Sequence, residues 1–118
     1  MRASRLLLAV ILGLVSCGPT EPPQAELEAG TFTGLFYKGW EWSSFVPCSQ
    51  TSVYWYMAGN IGPILALRTA ADSGLYGYAG IATIRGVKHP YDATQTGYPF
   101  MIVVDTVLAA ARRERPVC

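Results

Sequence analysis

The sequence predicts an all-β domain, a small five-stranded barrel with one short helix between the third and fourth strands. Three observations predict it. Short runs in which aromatic, aliphatic and hydroxyl side chains alternate recur along the chain, and such runs are typical of strands. Turns that contain glycine or proline separate these runs. One run also contains spaced glycines, which would permit the sharp bend that a small barrel needs: Gly77, Gly80 and Gly86.

The first two strands form a predicted hairpin. Residues 31–38 alternate threonine with aromatic and aliphatic side chains, and the pair Lys38-Gly39 supplies a turn into the second strand, residues 40–46. Two β-prone runs joined by a short connection that contains glycine favour a hairpin. Pro47 is expected to end the second strand, because proline has no backbone N–H to give to a ladder.

The third strand, residues 52–57, has two different faces. One face is apolar and consists of Val53, Trp55 and Met57. The other face bears hydroxyl groups and consists of Ser52, Tyr54 and Tyr56. A short helix should follow, because Pro63 stands at an early helical position after Asn60 or Gly62 as the cap. Its apolar face would be Ile61, Ile64 and Leu65. The Asp-Ser-Gly at residues 72–74 should end this helix.

The last two strands lie in the second half of the chain. Residues 76–87 form the glycine-containing fourth strand, and residues 88–99 form a polar, turn-rich loop. Residues 100–108 are the most apolar strand and are expected to lie at the centre of the sheet. Residues 109–113 are expected to add a helical turn.

This order of elements resembles the OB-fold, a five-stranded, partly open Greek-key barrel. The resemblance covers roughly residues 31–108 and rests on the element order and the glycine-rich fourth strand. It implies a ligand-binding face on strands 2 and 3. A meander half-barrel or a small β-sandwich would fit the same elements. Residues 34–48 also resemble the opening of small uncharacterised envelope lipoproteins, a likeness that implies no activity.

The N-terminus has the composition of an export signal. Arg2 and Arg5 precede an apolar run at residues 6–15, which is shorter than the roughly 20 residues that a membrane-spanning helix needs. The residues that follow, Leu14-Val15-Ser16-Cys17, resemble the lipobox of bacterial lipoproteins. That resemblance implies lipid attachment to Cys17, cleavage before it, and a place in the cell envelope. Gly18 after the cysteine favours the outer membrane if the source is a diderm bacterium.

Three regions follow from this assignment. Residues 1–16 are the signal peptide, residues 17–30 the lipidated cysteine and a flexible linker rich in proline and glutamate, and residues 31–118 the barrel domain. Cleavage would leave 102 residues with seven basic and eight acidic side chains, enough for one small domain. The near-zero charge gives no global attraction for nucleic acid. The basic cluster at residues 112–115 is either a solvated tail or a contact for anionic headgroups or cell-wall polymers.

Two further cysteines, Cys48 and Cys118, are expected to pair in an oxidising compartment. There are two alternatives. Cys48 could be a free buried thiol, or Cys118 could be an exposed terminal thiol that pairs between molecules. Two thiols and a single histidine fall short of the usual structural metal site, so no metal or other cofactor is expected.

Catalytic signatures are not found in the sequence. The single histidine, His89, lies in a Lys-His-Pro turn and reads as an exposed loop residue. Glu41 between two tryptophans and Asp105 in an apolar strand are the one candidate acid pair for glycoside hydrolysis. The competing interpretation is that Glu41 faces solvent or pairs with Lys38 or Arg85, and that Asp105 caps or pairs at the barrel rim. We expect no enzymatic activity.

Aromatic residues crowd the first three strands and give the strongest functional signal. Stacking aromatics on strands 2 and 3 of OB-folds bind bases or sugars, and the candidate positions here are Trp40, Trp42, Tyr54 and Tyr56. A glycan, a peptide or another envelope protein is the expected partner, beside the membrane itself. The leading hypothesis is a non-catalytic binding or structural module. The alternatives are an inhibitor that presents the loop at residues 88–99 to a hydrolase, and a small glycan-active hydrolase.

Overall fold

A computed structural model of the chain describes residues 27–69 and 77–118. Within these residues five strands and two one-turn helices follow one another: β1 (Glu28–Lys38), β2 (Ser43–Pro47), β3 (Trp55–Gly59), α1 (Gly62–Leu65), β4 (Tyr78–Pro90), α2 (Ala93–Thr96) and β5 (Phe100–Arg112). The signal peptide, Cys17 and most of the linker lie outside the described residues. Neither of the two helices in the described ranges has the length or the composition of a membrane-spanning segment.

The strands close into a barrel in the order β1-β2-β3-β5-β4, with β4 pairing back onto β1. Every neighbouring pair is antiparallel except β3 and β5, which are parallel. The chain therefore crosses the barrel between β3 and β4, and α1 lies in that crossing. This confirms the predicted class, an all-β, OB-like Greek-key barrel with a short helix between the third and fourth strands.

Aromatic side chains fill the barrel interior. Phe36, Phe45, Trp55 and Phe100 are cross-strand neighbours on β1, β2, β3 and β5, so that their side chains lie on one face of the sheet. The first three are buried and Phe100 packs against them. Ile64 of α1 is fully buried, and its carbonyl oxygen accepts a hydrogen bond of 2.9 Å from the Tyr78 hydroxyl. The helix therefore closes one end of the barrel.

The glycines of β4 allow the sheet to curve around these rings. A side chain at Gly80 would collide with the ring of Phe36 and with the backbone of Ala111. The ladder between β4 and β5 also has two register shifts, between Thr83 and Ile84 and between Arg85 and Gly86. Such bulges increase the local bend of a strand. Gly77 lies one residue before β4 and takes no part in the curvature of the strand.

The predicted strand ends differ from the structure where pairing extends further. β1 begins at Glu28, because it stays paired with β4 from Glu28↔Lys88 to Lys38↔Tyr78. β4 ends at Pro90, because it stays paired with β5 as far as Pro90↔Phe100. The expected helical turn at residues 109–113 is wrong. Residues 109–112 continue β5 instead, because they pair with β4 as far as Gly80↔Arg112. Residues 72–74, predicted to end the first helix, lie outside the described residues.

Two details of the helical region also differ from expectation. The residue at the N-cap of α1 is Ile61, while the Asn60 side chain donates instead to the carbonyl oxygen of Asp105 at 3.1 Å. Pro63 lies at the start of the helix, as predicted. Leu65 is 45% exposed, because the helix makes one turn only and turns this side chain away from the core.

Cys48 and Cys118 form a disulfide in the structure, with Cα atoms 5.6 Å apart and a sequence separation of 70. The tail that ends in Cys118 leaves β5 where the Arg113 N–H donates to the carbonyl oxygen of Ala79, at 2.9 Å. Residues 113–118 therefore span from β4 to the end of β2, across the outer face of β1. Two apolar side chains of that outer face, Leu35 and Val46, are buried.

Candidate ligand-binding face

The outer surface of β1, β2 and β3 is lined by tyrosines. Tyr37, Ser44 and Tyr56 are cross-strand neighbours, and each alternates with a core side chain, so that all three point outward. Tyr54 precedes β3 and points the same way as Tyr56. Two more rings come from the loop between β4 and β5. We call the five rings together the tyrosine face: Tyr37, Tyr54, Tyr56, Tyr91 and Tyr98.

Ring contacts hold the tyrosine face together. Tyr37 and Tyr54 lie with ring centroids 6.2 Å apart. Tyr56 stacks on Tyr91 at 5.8 Å with 16° between the planes, and meets Tyr98 edge-on at 5.7 Å. Ser44 lies between the two groups of rings and is only 4% exposed, although it faces outward. The rings therefore form a nearly continuous surface with a small residue at its floor.

The loop between β4 and β5 is built to keep Tyr91 and Tyr98 on this face. The Tyr91 N–H donates to the carbonyl oxygen of Pro99 at 2.9 Å, which closes the loop at its base. Asp92 caps α2, accepting from the Thr94 N–H at 3.0 Å and from its hydroxyl. These hydrogen bonds from Thr94 lower the pKa of Asp92 below its usual value. The loop predicted as a possible inhibitory segment is thus folded against the barrel.

The Tyr98 phenol is partly removed from water. Burial raises the pKa of Tyr98 above its usual value, and the neighbouring Tyr56 adds to that increase. A neutral phenol both donates and accepts hydrogen bonds. The two rings therefore present hydroxyl groups as well as apolar surface to any ligand that lies on them.

The hairpin turn between β1 and β2 positions the tryptophans. Sequence reasoning placed Trp40 and Trp42 within the second strand, but residues 39–42 form a turn in which the Gly39 N–H donates to the carbonyl oxygen of Trp42 at 2.9 Å. The Lys38 ammonium also donates to the carbonyl oxygens of Gly39 and Trp42. A side chain at position 39 would overlap the Trp42 indole, so this ring needs glycine beneath it. Trp40 lies at the tip and is 65% exposed.

A cleft opens beside Trp42 at one end of the tyrosine face. Its volume is about 590 Å³. Tyr37 and Trp42 contribute rings to its lining, and Arg112, Arg113 and Glu114 contribute charged groups. We call it the Trp42 cleft. The basic cluster predicted as a solvated tail or a polymer contact thus begins in β5 and continues along this cleft.

The candidate acid pair is not brought together. Glu41 lies exposed in the hairpin turn that follows Lys38 at the end of β1. At this end of the barrel β4 begins and β5 ends. Asp105 lies on the outer face of β5, where it pairs with Arg85 at 3.8 Å. Seven residues of strand separate Asp105 from that end, roughly 20 Å. The two acids of glycosidases stand within about 10 Å of each other.

His89 and Lys88, predicted to lie in a loop, belong to β4 instead. His89 is half-buried on the outer face, in register with Met101 next to Tyr56. Lys88 points into the opposite end of the barrel, where its ammonium lies 4.0 Å from the centroid of the Phe100 ring and 5.0 Å from that of Trp55. It also pairs with Glu28 at 3.7 Å. Lys88 therefore closes that end of the core.

Sequence reasoning found four of the aromatic positions on this surface and missed three. Tyr54 and Tyr56 lie on the tyrosine face, and Trp40 and Trp42 lie at its edge. Tyr37 was noted only as part of the aromatic crowd, and Tyr91 and Tyr98 were assigned to a polar loop. The OB-fold itself gives the signal that would have found the last two, because its loop between strands 4 and 5 flanks the ligand face.

Among the described residues no group of three or more histidine, cysteine, aspartate or glutamate side chains is placed to hold a metal ion. Comparisons of the chain with protein-family models, with curated proteins and with solved structures found no match.

Proposed function

We propose that this protein is a lipid-anchored module of the bacterial cell envelope that binds a carbohydrate chain on its tyrosine face without altering it chemically. The lipobox-like segment that ends at Cys17 supports the anchor and the envelope location. The linker at residues 17–30 would then hold the barrel away from the membrane surface. In a diderm source, the residue after Cys17 favours the outer membrane.

The tyrosine face is the observation that supports the binding role. Its rings run from Tyr37 and Tyr54 to Tyr56, Tyr91 and Tyr98 as one outward surface. A sugar ring has an apolar C–H face and a rim of hydroxyl groups. Tyrosine matches both, with an apolar ring and a hydroxyl that donates and accepts. Oligosaccharides are among the known ligands of this face in OB-folds.

Carbohydrate fits this surface better than a peptide strand. A peptide that binds by strand addition needs an unpaired sheet edge. Where the rings lie, the strands are paired on both sides: Tyr37 with Ser44 and Ala79, and Tyr56 with Ser44 and Met101. The tyrosine face therefore offers no such edge. Nucleic acid would need a basic groove along the rings, whereas the mature chain has seven basic and eight acidic side chains.

The binding role is tested on the full lipidated chain in nanodiscs, screened against an array of bacterial envelope oligosaccharides. Tyr54→Ala removes a ring that is 51% exposed, so it leaves the core intact. It should weaken binding at least about five-fold, the lower end of what one stacking ring contributes. Leu108→Ala removes an equally exposed apolar side chain on β5 and is the matched control, with no loss expected. Equal binding by both variants would contradict the proposal.

The anchor is tested separately in cells. Labelled palmitate should enter the wild-type protein and should fail to enter a Cys17→Ser variant, which should also leave the membrane fraction. Label that persists in the Cys17→Ser variant, or a wild-type protein that takes up none, would remove the basis for the envelope location.

A further inference from the structure

The Trp42 cleft differs from the rest of the tyrosine face because it combines rings with cations. Arg112 is held in place there: its Nη1 donates to the carbonyl oxygen of Leu67 at 3.1 Å, and its guanidinium lies 5.0 Å from the centroid of the Tyr78 ring. Arg113 follows on the tail and donates from Nη1 to the carbonyl oxygen of Arg112 at 2.7 Å. Glu114 is the single acidic side chain among the described residues that line the cleft.

The positive charge extends around this end of the barrel. Burial lowers the pKa of Lys38, and the nearby positive charge of Arg68 lowers it further. Since the Lys38 ammonium donates to the carbonyl oxygens of Gly39 and Trp42, it also fixes the turn that presents the Trp42 ring. Among the described residues, Glu41 lies exposed in that turn and Glu114 lines the cleft. Cations therefore exceed anions here.

We propose that the Trp42 cleft is a subsite for a carboxylate-bearing sugar, whose ring lies on the Trp42 indole and whose carboxylate is bound by Arg113 beside Arg112. The proposal rests on the carbohydrate-binding role proposed above and adds the chemical class of the ligand. A guanidinium matches the two oxygens of a carboxylate and forms stronger hydrogen bonds with it than with neutral groups. A cleft of about 590 Å³ is within the range of small-ligand sites, about 300–1,000 Å³.

The choice of an acidic sugar follows from the position of the cations. They lie at one end of a surface that otherwise offers rings and hydroxyl groups, so the ligand should be a chain of rings with charge on at least one of them. An acidic peptide would meet the same guanidinium groups. Its extended backbone would leave the tyrosine rings without flat partners, and it serves as the competing probe in the test.

The experiment compares two matched oligosaccharides on the full lipidated chain in nanodiscs of zwitterionic lipid. One is an oligogalacturonate and the other is its carboxyl-reduced galactose form, which has the same linkages without charge. At low salt we expect the acidic form to bind at least about ten-fold more tightly, because a charged hydrogen-bond pair contributes about that factor. Arg113→Gln should reduce its affinity to that of the neutral form. Arg115→Gln, which alters an exposed arginine outside the cleft lining, should change it little.

Each other outcome counts against a specific statement. Equal affinity for the two oligosaccharides, both weakened by Tyr54→Ala, would overturn the acidic subsite and leave the carbohydrate-binding role in place. If neither oligosaccharide binds, and if Tyr54→Ala changes no binding on the wider array, both the acidic subsite and the carbohydrate-binding role are overturned. A glutamate-rich peptide that binds as tightly as the oligogalacturonate and depends equally on Arg113 would overturn the assignment of the cleft to a sugar.

Discussion

The tyrosine face and the opposite outer surface of the barrel differ in almost every respect. The opposite surface lies on β1, β4 and β5, and we call it the threonine–alanine face: Thr33, Ile81, Thr83, Ala109 and Ala111. Its side chains are aliphatic or hydroxyl-bearing and none is aromatic, and the one hydrogen bond between them in the described residues joins the Thr33 and Thr83 hydroxyls at 3.0 Å. The contrast shows that closing this barrel does not require aromatic rings on its outside.

Strand length explains part of this difference. β4 and β5 are 13 residues each and pair along almost their full length, whereas β2 and β3 are 5 residues each and share only the pairs Ser44↔Tyr56 and Phe45↔Trp55. A weak ladder gains from side-chain contacts across it. The tyrosines therefore stabilise the short-strand side as well as offering a ligand surface. Mutations that separate these two contributions test the comparison directly.

The largest effect is expected from the bond that joins the tail to the short-strand side. Replacing both cysteines, Cys48→Ser with Cys118→Ser, should lower the free energy of unfolding by about 2–5 kcal/mol, because the bridge closes a long loop in the unfolded chain. Chemical denaturation of the barrel measures it. The wild-type protein in reductant should behave like the double variant, and the double variant should not respond to reductant. An unchanged unfolding midpoint would show that the tail adds nothing to stability.

A smaller loss is expected when Tyr56 is truncated. Tyr56→Ala removes two ring contacts, with Tyr91 and Tyr98, each contributing roughly 0.5–1.5 kcal/mol. The free energy of unfolding should therefore fall by about 1–3 kcal/mol. Thr83→Ala on the threonine–alanine face is the control and should stay within about 0.5 kcal/mol of wild type. Similar losses for both variants would mean that the ring contacts of Tyr56 contribute no more to the free energy of unfolding than the Thr33–Thr83 hydrogen bond.

Gly39→Ala separates ring position from strand pairing. A methyl group at this position would overlap the Trp42 indole, which must then leave the turn. Overpacking of this kind costs about 1–3 kcal/mol, and the lower half of that range is expected because the turn lies at the surface. With Trp40 replaced by phenylalanine, Trp42 and the buried Trp55 are the remaining tryptophans, so a shift of the emission to longer wavelength should report a more exposed Trp42 indole. Gly62→Ala, where a methyl group meets no neighbour, is the control. Unchanged emission in Gly39→Ala would mean that the turn tolerates the methyl group.

The strand pattern could be predicted from sequence because alternation reports directly on burial. Trp55 and Met57 were expected on the core side of β3 and Tyr54 and Tyr56 on the other, and the structure places them so. The helical turn expected at residues 109–113 begins with three alanines, and alanine has a high helix propensity. Pairing with the long neighbouring strand β4 overrides that propensity. The local sequence of β5 does not show how long its partner strand is.

The candidate site was less accessible to sequence reasoning because its parts are distant in the chain. The contact of Tyr56 with Tyr91 and Tyr98 depends on how the β4–β5 loop folds over β3. The approach of Arg113 to Trp42 depends on the end of β5 meeting the β1–β2 turn. Neither contact could be predicted from the spacing of these residues in a single sequence. The Cys48–Cys118 pair is an exception, since the export predicted from the N-terminus implies an oxidising compartment and leaves two thiols to pair.

The smallest effect expected concerns acidity in the loop that holds two of the rings. Hydrogen bonds from Thr94 lower the pKa of Asp92 from its ordinary value of 3.8, so the folded loop favours the charged carboxylate. The Asp92 cap therefore stabilises the loop at pH values above 3.8. This stabilisation is lost as the pH falls through the lower pKa of the folded state. On acidification below about pH 4, nuclear magnetic resonance should show the Tyr91 and Tyr98 ring signals shifting toward those of solvent-exposed rings.

Two variants decide whether the cap causes that shift. Asp92→Asn keeps a side-chain oxygen that accepts from the Thr94 N–H and cannot titrate, so its Tyr91 and Tyr98 signals should stay constant over the same pH range. Asp105→Asn removes an exposed carboxylate from the outer face of β5 and should leave the wild-type pH response of the rings unchanged. Ring signals that still move in Asp92→Asn would trace the response to another group, and the tyrosine face would then not depend on this cap.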